Sequence, residues 1–299
     1  MGKFFDNEST IVHKIDRSYS SIEEALKIDL DLSGRFFRKL IKSKSIIKNG
    51  KKASKKSLVK KGDTIVIFMK DEEDNNIPED INLNIVYEDY DLIILNKEPG
   101  IVVHPTKGHN NGTVANGVAQ YFKNHNINKK IRFVNRLDMD TSGIVVVAKN
   151  PFGHQQMSKQ FENNQVKKSY LALVDGIVKG DGVIDEPIGK DPQDSIKNAV
   201  KADGKRAITK YEVIDRYNEA SLVKLYIETG RTHQIRVHMD YIGHPIIGDT
   251  LYNKESNIIK RQALHSYSLE FKVPRNNEKV KVEANLPEDM VEAVEKLRL

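Results

Sequence analysis

The sequence predicts an α+β protein in which a small basic domain is followed by a larger domain built on a mixed, mainly antiparallel sheet. Three observations support this prediction. Residues 35–62 contain twelve Lys or Arg and no acid, whereas residues 71–80 contain six acids and a proline. Beyond residue 80, short β-branched runs are mixed with helical segments such as residues 151–164, which is typical of helices packed on an extended sheet.

These changes in composition divide the chain into three segments. A chain of 299 residues is long enough for two hydrophobic cores. We therefore expect a basic domain at residues 1–70, with its core at about 18–69, then an acidic linker at 71–80 and a second domain at 81–299. The net charge is only +6, so the positive charge is concentrated in the basic domain, as in a module that binds a polyanion.

The basic domain is predicted to begin with two helices. Ser20–Ser21 precede two glutamates in the pattern of a capping box, and Ser33 can cap a second helix. Helical spacing places Phe37, Leu40 and Ile41 on one face of that second helix and four cations on the opposite face. These cations are Arg35, Arg38, Lys39 and Lys42.

A basic hairpin is predicted after the second helix. Asn49–Gly50 is a strong signal for a two-residue turn, and a turn at 61–63 leads into a strand at 64–69. Two helices followed by a small basic sheet resemble the αL RNA-binding module of the ribosomal-protein type. The alternative is a solvated, lysine-rich face. The resemblance implies that six basic side chains contact RNA: Arg35, Arg38, Lys39, Lys42, Lys48 and Lys51.

The most informative segment of the second domain is residues 135–149. A charged turn, Asn-Arg-Leu-Asp-Met-Asp-Thr-Ser-Gly, runs directly into the apolar strand Ile-Val-Val-Val-Ala. A β-branched run bounded by glycine is typical of a buried strand, so Asp138 is carried by a rigid element. Arg136 is two residues away, and a nearby cation favours the ionised form of a carboxylate. Taken alone, the segment could also be a capped turn before a core strand.

Four further regions carry polar residues next to strands or helices. Residues 96–105 follow a strand and contain two prolines, and residues 167–174 form a strand that includes Tyr170. Residues 228–238 indicate the end of a strand and a helix that starts with Thr232 as its cap. The last region comprises residues 244–249 and 262–265, which add His, Asp and Gln side chains.

Two patterns could indicate a metal site, and both are weak. His233 and His238 are five residues apart, which places them about 140° apart around a helix, and the chain has no cysteine. Asp138 and Asp140 could hold Mg²⁺, as in a nuclease. The lack of cysteine also excludes disulfides and cysteine nucleophiles, and no apolar run approaches membrane-spanning length. We therefore expect neither a metal nor a membrane partner.

Taken in order, these segments resemble the RluA/RluD-type pseudouridine synthases over about residues 89–265. The family signature is His-Arg-Leu-Asp-x-x-Thr-Ser-Gly, and Asn135 stands where the family usually has His. The resemblance implies a catalytic domain of the pseudouridine synthase type, with Asp138 as its catalytic carboxylate. It also implies that Arg231 pairs with Asp138 and that Tyr170 packs against the target base.

The resemblance further implies that the protein isomerises uridines to pseudouridine in structured RNA, with large-subunit (23S) ribosomal RNA as the expected substrate. Asp138 would act as a nucleophile at C1′ or as a base at C2′, and we favour abstraction at C2′. Arg136 would fill the space that the extruded base leaves in the RNA. We expect a cytoplasmic monomer without a cofactor. The alternatives are a transfer RNA substrate, a non-catalytic RNA-binding or ribosome-assembly factor, and a metal-dependent nuclease.

Overall fold

The computed structural model describes residues 4–106 and 108–299, and its first part is a four-stranded antiparallel sheet with two helices. Its elements are β1 (Thr10–Lys14), α1 (Ile22–Asp29), α2 (Gly34–Lys42), β2 (Ile46–Lys48), β3 (Lys51–Lys52) and β4 (Thr64–Phe68). The strand order is β1-β4-β2-β3. The sheet begins before the expected core at residues 18–69, because β1 pairs with β4 along its whole length.

The caps and the turn predicted for this part are confirmed. Ser21 and Ser33 cap α1 and α2, and each side chain accepts a hydrogen bond from the backbone three residues later. Asn49–Gly50 have φ values of 46° and 79°, as a two-residue turn between β2 and β3 requires. Phe37 and Leu40 of α2 are buried, so the cations of this helix face solvent.

The second part is built on one ten-stranded sheet with a separate small hairpin. Its strands are β5 (Ile85–Glu88), β6 (Leu92–Lys97), β7 (Arg132–Phe133), β8 (Ser142–Ala148), β9 (Lys167–Asp175), β10 (Gly182–Asp185), β11 (Ile188–Lys190), β12 (Asn198–Val200), β13 (Ile208–Arg216), β14 (Ala220–Ile227), β15 (Leu264–Lys272) and β16 (Lys279–Glu283). The large sheet has the order β10-β13-β14-β9-β15-β8-β6-β5, with β16 paired to β15 and β7 to β8, while β11 and β12 form the hairpin. Its pairings are antiparallel except for β15 with β8, which confirms the predicted mixed, mainly antiparallel sheet.

Four helices accompany the large sheet: α3 (Val114–Asn124), α4 (Pro151–Glu162), α5 (Gln234–Tyr241) and α6 (Glu288–Arg298). α4 agrees with the helix predicted at 151–164. The predicted start of α5 at Thr232 is wrong, because His233 takes a left-handed conformation with φ of 57° and no side chain caps the helix. The side chain of Gln234 accepts hydrogen bonds from the hydroxyl of Thr229 and the backbone N–H of Arg231, which holds this stretch as a loop.

The acidic segment 71–80 lies packed against the second part of the chain. Glu72 forms ion pairs with Arg132 at 2.5 Å and with Lys39 of α2 at 3.0 Å. Lys129, whose side chain is almost fully buried, donates a hydrogen bond to an acid of the same segment at 2.8 Å. The segment predicted to be an acidic linker is therefore held against both parts of the chain, because its acids form ion pairs with these basic side chains.

The two parts of the chain share an interface that combines apolar and ionic contacts. Phe152 of α4 is fully buried in the hydrophobic core of the first part. Arg275 donates hydrogen bonds to both carboxylate oxygens of Asp91, at 2.9 and 3.0 Å, and also to Asp6 and the carbonyl oxygen of Thr10. Asp91 is only 1% exposed. These contacts seat the first part on the second in one orientation.

Arg275→Ala is expected to lower the free energy of unfolding by about 2 kcal/mol, because Asp91 then stays buried without its cation. Urea denaturation of the full chain measures this change. Arg206→Ala is the matched control, since Arg206 and its partner Asp185 are both largely exposed, and it should leave stability unchanged. Equal unfolding midpoints for Arg275→Ala and wild type would contradict an interface anchored by Arg275.

Candidate active site

Asp138 lies in the turn between β7 and β8. β8 is buried along its whole length and lies between β6 and β15 in the sheet. The backbone N–H of Thr141 donates to the carbonyl oxygen of Asp138 at 3.1 Å and closes the turn. Gly143 has φ of 107°, and a Cβ there would lie 2.2 Å from the carbonyl oxygen of Ser266 on β15. Glycine is therefore required where the turn enters β8, and the turn is fixed to a buried strand.

Two polar side chains hold the turn in place. Asn135 exchanges hydrogen bonds with two backbone groups of β8, at 2.8 and 3.1 Å. Lys97, only 3% exposed, donates to the carbonyl oxygen of Met139 at 2.8 Å and to two carbonyl oxygens of the loop 98–101. Burial lowers the pKa of Lys97 to about 8. Asn135, which replaces the histidine of the family signature, thus has a structural role here.

The cation that contacts Asp138 in this structure is Arg236, whereas the family resemblance implied a pairing with Arg231. Nη1 of Arg236 donates to Oδ2 of Asp138 at 3.2 Å. Nε and Nη2 of the same guanidinium bind Asp249 at 2.6 and 2.7 Å. Asp249 is fully buried and the side chain of Arg236 is 8% exposed, so the guanidinium is held in place beside Asp138. Asp138 itself keeps 32% exposure and remains accessible to a substrate.

The position of Arg231 follows from the start of α5. Because α5 begins at Gln234, Arg231 lies in the preceding loop, where its Nε donates to the carbonyl oxygen of Arg206 at 3.0 Å. Arg236 lies in the first turn of α5, and the sequence motifs did not identify it as the partner of Asp138. One signal could have identified it: Asp249 follows an apolar Ile-Ile-Gly run, and a buried carboxylate needs a buried cation.

Asp138 opens into a cavity of about 310 Å³. Tyr170 of β9 and Arg231 line this cavity, and Arg136 is exposed at its edge. Burial raises the pKa of Tyr170 to about 12, so the hydroxyl stays protonated at neutral pH. The apolar lining is Leu137, Ile227, Ile235 and Leu264. Asp138, Tyr170, Arg231 and Arg136 are therefore brought to one cavity, although Arg231 does not contact the carboxylate.

His233 also lies close to Asp138. Its Nε2 is 3.9 Å from Oδ2 of Asp138, and its Nδ1 is 3.0 Å from the hydroxyl of Tyr252. Burial lowers the pKa of His233, and the charge of Asp138 opposes this shift. His238 has other partners, since its Nδ1 is 2.9 Å from the hydroxyl of Thr209. Within residues 4–106 and 108–299, no group of three or more His, Asp or Glu side chains could hold a metal ion.

Besides Arg136, six basic residues were predicted to bind RNA, and these six lie in the first part of the chain and do not line the cavity. Arg35, Arg38, Lys42 and Lys51 are exposed. Two of the six are in ion pairs: Lys39 with Glu72 and Lys48 with Asp63, both at 3.0 Å. The charges of Lys39 and Lys48 are therefore partly neutralised, whereas Arg35, Arg38 and Lys42 leave a positively charged, exposed face on α2.

A mixed sheet here carries an aspartate and an arginine beside a partly apolar, tyrosine-lined cavity, which is large enough to enclose a planar base. Residues 91–241 match the sequence profile of the RNA pseudouridylate synthase family. The chain belongs to this family and is an RNA pseudouridine synthase of the RluA/RluD type, as the sequence motifs predicted. Among the described residues, no helix is long and apolar enough to cross a membrane.

Relatives match the chain over nearly its full length. An uncharacterized RNA pseudouridine synthase of Bacillus subtilis, YlyB, is 39% identical over 95% of this chain and 94% of its own length. Ribosomal large subunit pseudouridine synthase D of Neisseria meningitidis is 36% identical over 99% of this chain and 88% of its own. The solved structure of human RNA pseudouridylate synthase domain containing 1 has a TM-score of 0.59 and 28% identity, covering 69% of this chain and 84% of that one.

Proposed function

We propose that this protein converts specific uridines of large-subunit ribosomal RNA to pseudouridine, with Asp138 as the catalytic carboxylate and without a cofactor. The observation that carries this proposal is the ionic arrangement around Asp138. The fully buried Asp249 fixes Arg236, and Arg236 in turn holds Asp138 at the wall of the Tyr170 cavity. The choice of RNA draws on the relative from Neisseria meningitidis named for the large ribosomal subunit.

The proposed reaction needs only groups that this site provides. The N1–C1′ bond of uridine breaks, the base turns over, a C5–C1′ bond forms, and the proton on C5 moves to N1 or solvent. Asp138 starts the reaction by removing the C2′ proton or by attacking C1′, and the hydrogen bond from Nη1 of Arg236 holds its carboxylate in place for either step. Tyr170 has a flat ring with a protonated hydroxyl, and the extruded uracil can stack on this ring.

The target base must first leave the RNA stack, because its sugar cannot otherwise reach Asp138. Arg136 is exposed at the edge of the cavity and two residues from Asp138. A guanidinium stacks well on neighbouring bases. We therefore assign to Arg136 the role of filling the space that the uridine vacates.

Pseudouridine mapping at nucleotide resolution is the direct test of this function. Ribosomal RNA and transfer RNA are mapped from cells with and without the gene, and the purified protein is then added back to the unmodified RNA. The proposal predicts that one or more sites in large-subunit RNA disappear and are restored by the protein. If pseudouridines disappear only from transfer RNA, the substrate is transfer RNA and not ribosomal RNA. If no pseudouridine disappears from either RNA, the proposed function is contradicted.

The basic face of α2 is proposed to supply much of the RNA affinity. Replacing Arg35, Arg38 and Lys42 with Gln should lower the slope of log Kd against log salt by about 2, because each lost phosphate contact removes about 0.7–0.9 from it. Binding of a ribosomal RNA fragment across a salt series measures the slope. The control changes three exposed lysines of the second part, Lys210, Lys281 and Lys296, to Gln. Equal slopes for the two triple variants would exclude α2 as a dedicated contact.

We expect full pseudouridine formation in excess chelator. The positive partner of Asp138 is the guanidinium of Arg236, which already supplies the charge that a cation would bring. The measurement uses RNA folded beforehand under the same ionic conditions. Loss of turnover that Mg²⁺ restores, together with shortened RNA, would favour the nuclease built on Asp138 and Asp140.

A further inference from the structure

A second cavity adjoins the one that contains Tyr170. Its volume is about 350 Å³, and the two cavities share residues 136–138, His233 and Arg236. Asp138 therefore lies in the wall between them. The first cavity, of about 310 Å³, is the proposed site of the uracil ring, so the second has room for another ring of similar size.

The second cavity has an apolar floor and a neutral imidazole at its side. Val103 and Leu137 form the floor and are almost completely buried. The ring of His104 packs against Phe133, with 5.7 Å between the ring centroids. Burial and the charge of Arg136 both lower the pKa of His104, so it is uncharged at neutral pH. Two arginines and two aspartates also line the cavity, namely Arg136, Arg236, Asp138 and Asp140, so its charges balance. A balanced lining with an apolar floor and a neutral imidazole suits the face of a nucleobase better than a phosphate group.

Two large apolar side chains are exposed at the opening of this cavity. Met139 is 38% exposed and Ile196 is 66% exposed. Ile196 lies in the polar tip of the hairpin formed by β11 and β12, and its backbone N–H donates to the carboxylate of Asp194 at 2.8 Å. That hydrogen bond fixes where the side chain leaves the tip. Together with the cavity, these two side chains provide an apolar surface that the face of a bound base would cover.

We infer that the second cavity binds the base of a nucleotide adjacent to the target uridine. The inference rests on the proposed function, since the target must occupy the Tyr170 cavity for its neighbour to reach the second one. The flanking base stacks beside His104 and is covered by Ile196. These two residues therefore determine specificity, because they select RNA in which the neighbouring base can leave the stack together with the uridine.

The test uses stem-loop RNAs that contain a uridine converted by the wild-type protein. The nucleotide on each side of that uridine is replaced in turn by an abasic ribose, which keeps the phosphate and removes the base. An abasic ribose on one of the two sides should lower kcat/KM for pseudouridine formation by about tenfold, which is the usual order for loss of one stacked base. Ile196→Ala should lower kcat/KM on intact RNA and cause no additional loss on that abasic RNA.

Ile214→Ala is the matched control, because Ile214 is 53% exposed on β13 and lines neither cavity. It should behave as wild type on every RNA. Equal rates on intact RNA and on both abasic RNAs would overturn the inference and leave the proposed function standing. The inference would also be overturned if the fall in kcat/KM for Ile196→Ala on the abasic RNA equalled the product of the two separate falls, since the side chain and the base would then act independently. If the wild-type protein converts no uridine in any of the stem-loop RNAs screened to choose the substrate, the proposed function and this inference are both overturned.

Discussion

Asp138→Asn is expected to reduce pseudouridine formation by about a thousandfold or more while the protein remains folded. The amide has nearly the same shape and can still accept the hydrogen bond from Nη1 of Arg236, but it is neither a base nor a nucleophile. Arg236 stays bound to Asp249, so no buried charge is left alone. The assay is release of the C5 proton as tritium from labelled uridine, because that proton leaves only when the C5–C1′ bond forms.

Asp140→Asn is the matched control for this substitution. Asp140 lies two residues further along the same turn, at a position that varies in the family signature. If the protein is a synthase with Asp138 as its catalytic carboxylate, Asp140→Asn should keep activity within a few-fold of wild type. A metal site built on both aspartates would lose activity with either substitution. RNA binding and thermal unfolding are measured for both variants. Near wild-type product from Asp138→Asn, with deamidation excluded by mass spectrometry, would remove Asp138 from the mechanism.

The parts of this structure that the sequence predicted depend on interactions between near neighbours. Ser21 and Ser33 cap helices because their side chains reach the backbone three residues away. The turn at Asn49–Gly50 needs only the positive φ that these residues adopt easily. The apolar run of β8 predicted a buried strand, and the signature motif predicted that Asp138 lies in the turn just before this strand. Local chemistry was sufficient for each of these predictions.

The parts that the sequence did not predict depend on contacts between distant residues. Arg236 meets Asp138 across 98 positions of the chain, and its place there depends on Asp249, which helical periodicity does not link to it. The predicted start of α5 was wrong because the side chain of Gln234 holds the preceding residues in a loop. Arg275 joins Asp91 across 184 positions, so composition could indicate two domains and an acidic linker but not how the two parts pack together.

Replacement of Arg236 should show which arginine supports Asp138. Arg236→Ala is expected to lower the free energy of unfolding by about 3–5 kcal/mol, because it leaves the fully buried Asp249 without a cation. Product formation should fall with it, since Asp138 loses its only arginine contact among the described residues. A folding defect alone could cause the same loss, so a variant that keeps the charge is also needed.

Arg236→Lys provides that separation. A lysine keeps one positive charge but cannot bind both oxygens of Asp249 and reach Asp138 at the same time, because the ammonium lacks the planar fork of a guanidinium. We expect a folded protein with unchanged RNA affinity and a kcat about a hundredfold below wild type. Arg231→Lys is the paired variant, and its kcat should change little, since Arg231 contacts the carbonyl oxygen of Arg206 and not the carboxylate. The reverse order, with Arg231→Lys nearly inactive and Arg236→Lys close to wild type, would show that Arg231 moves to Asp138 when RNA binds.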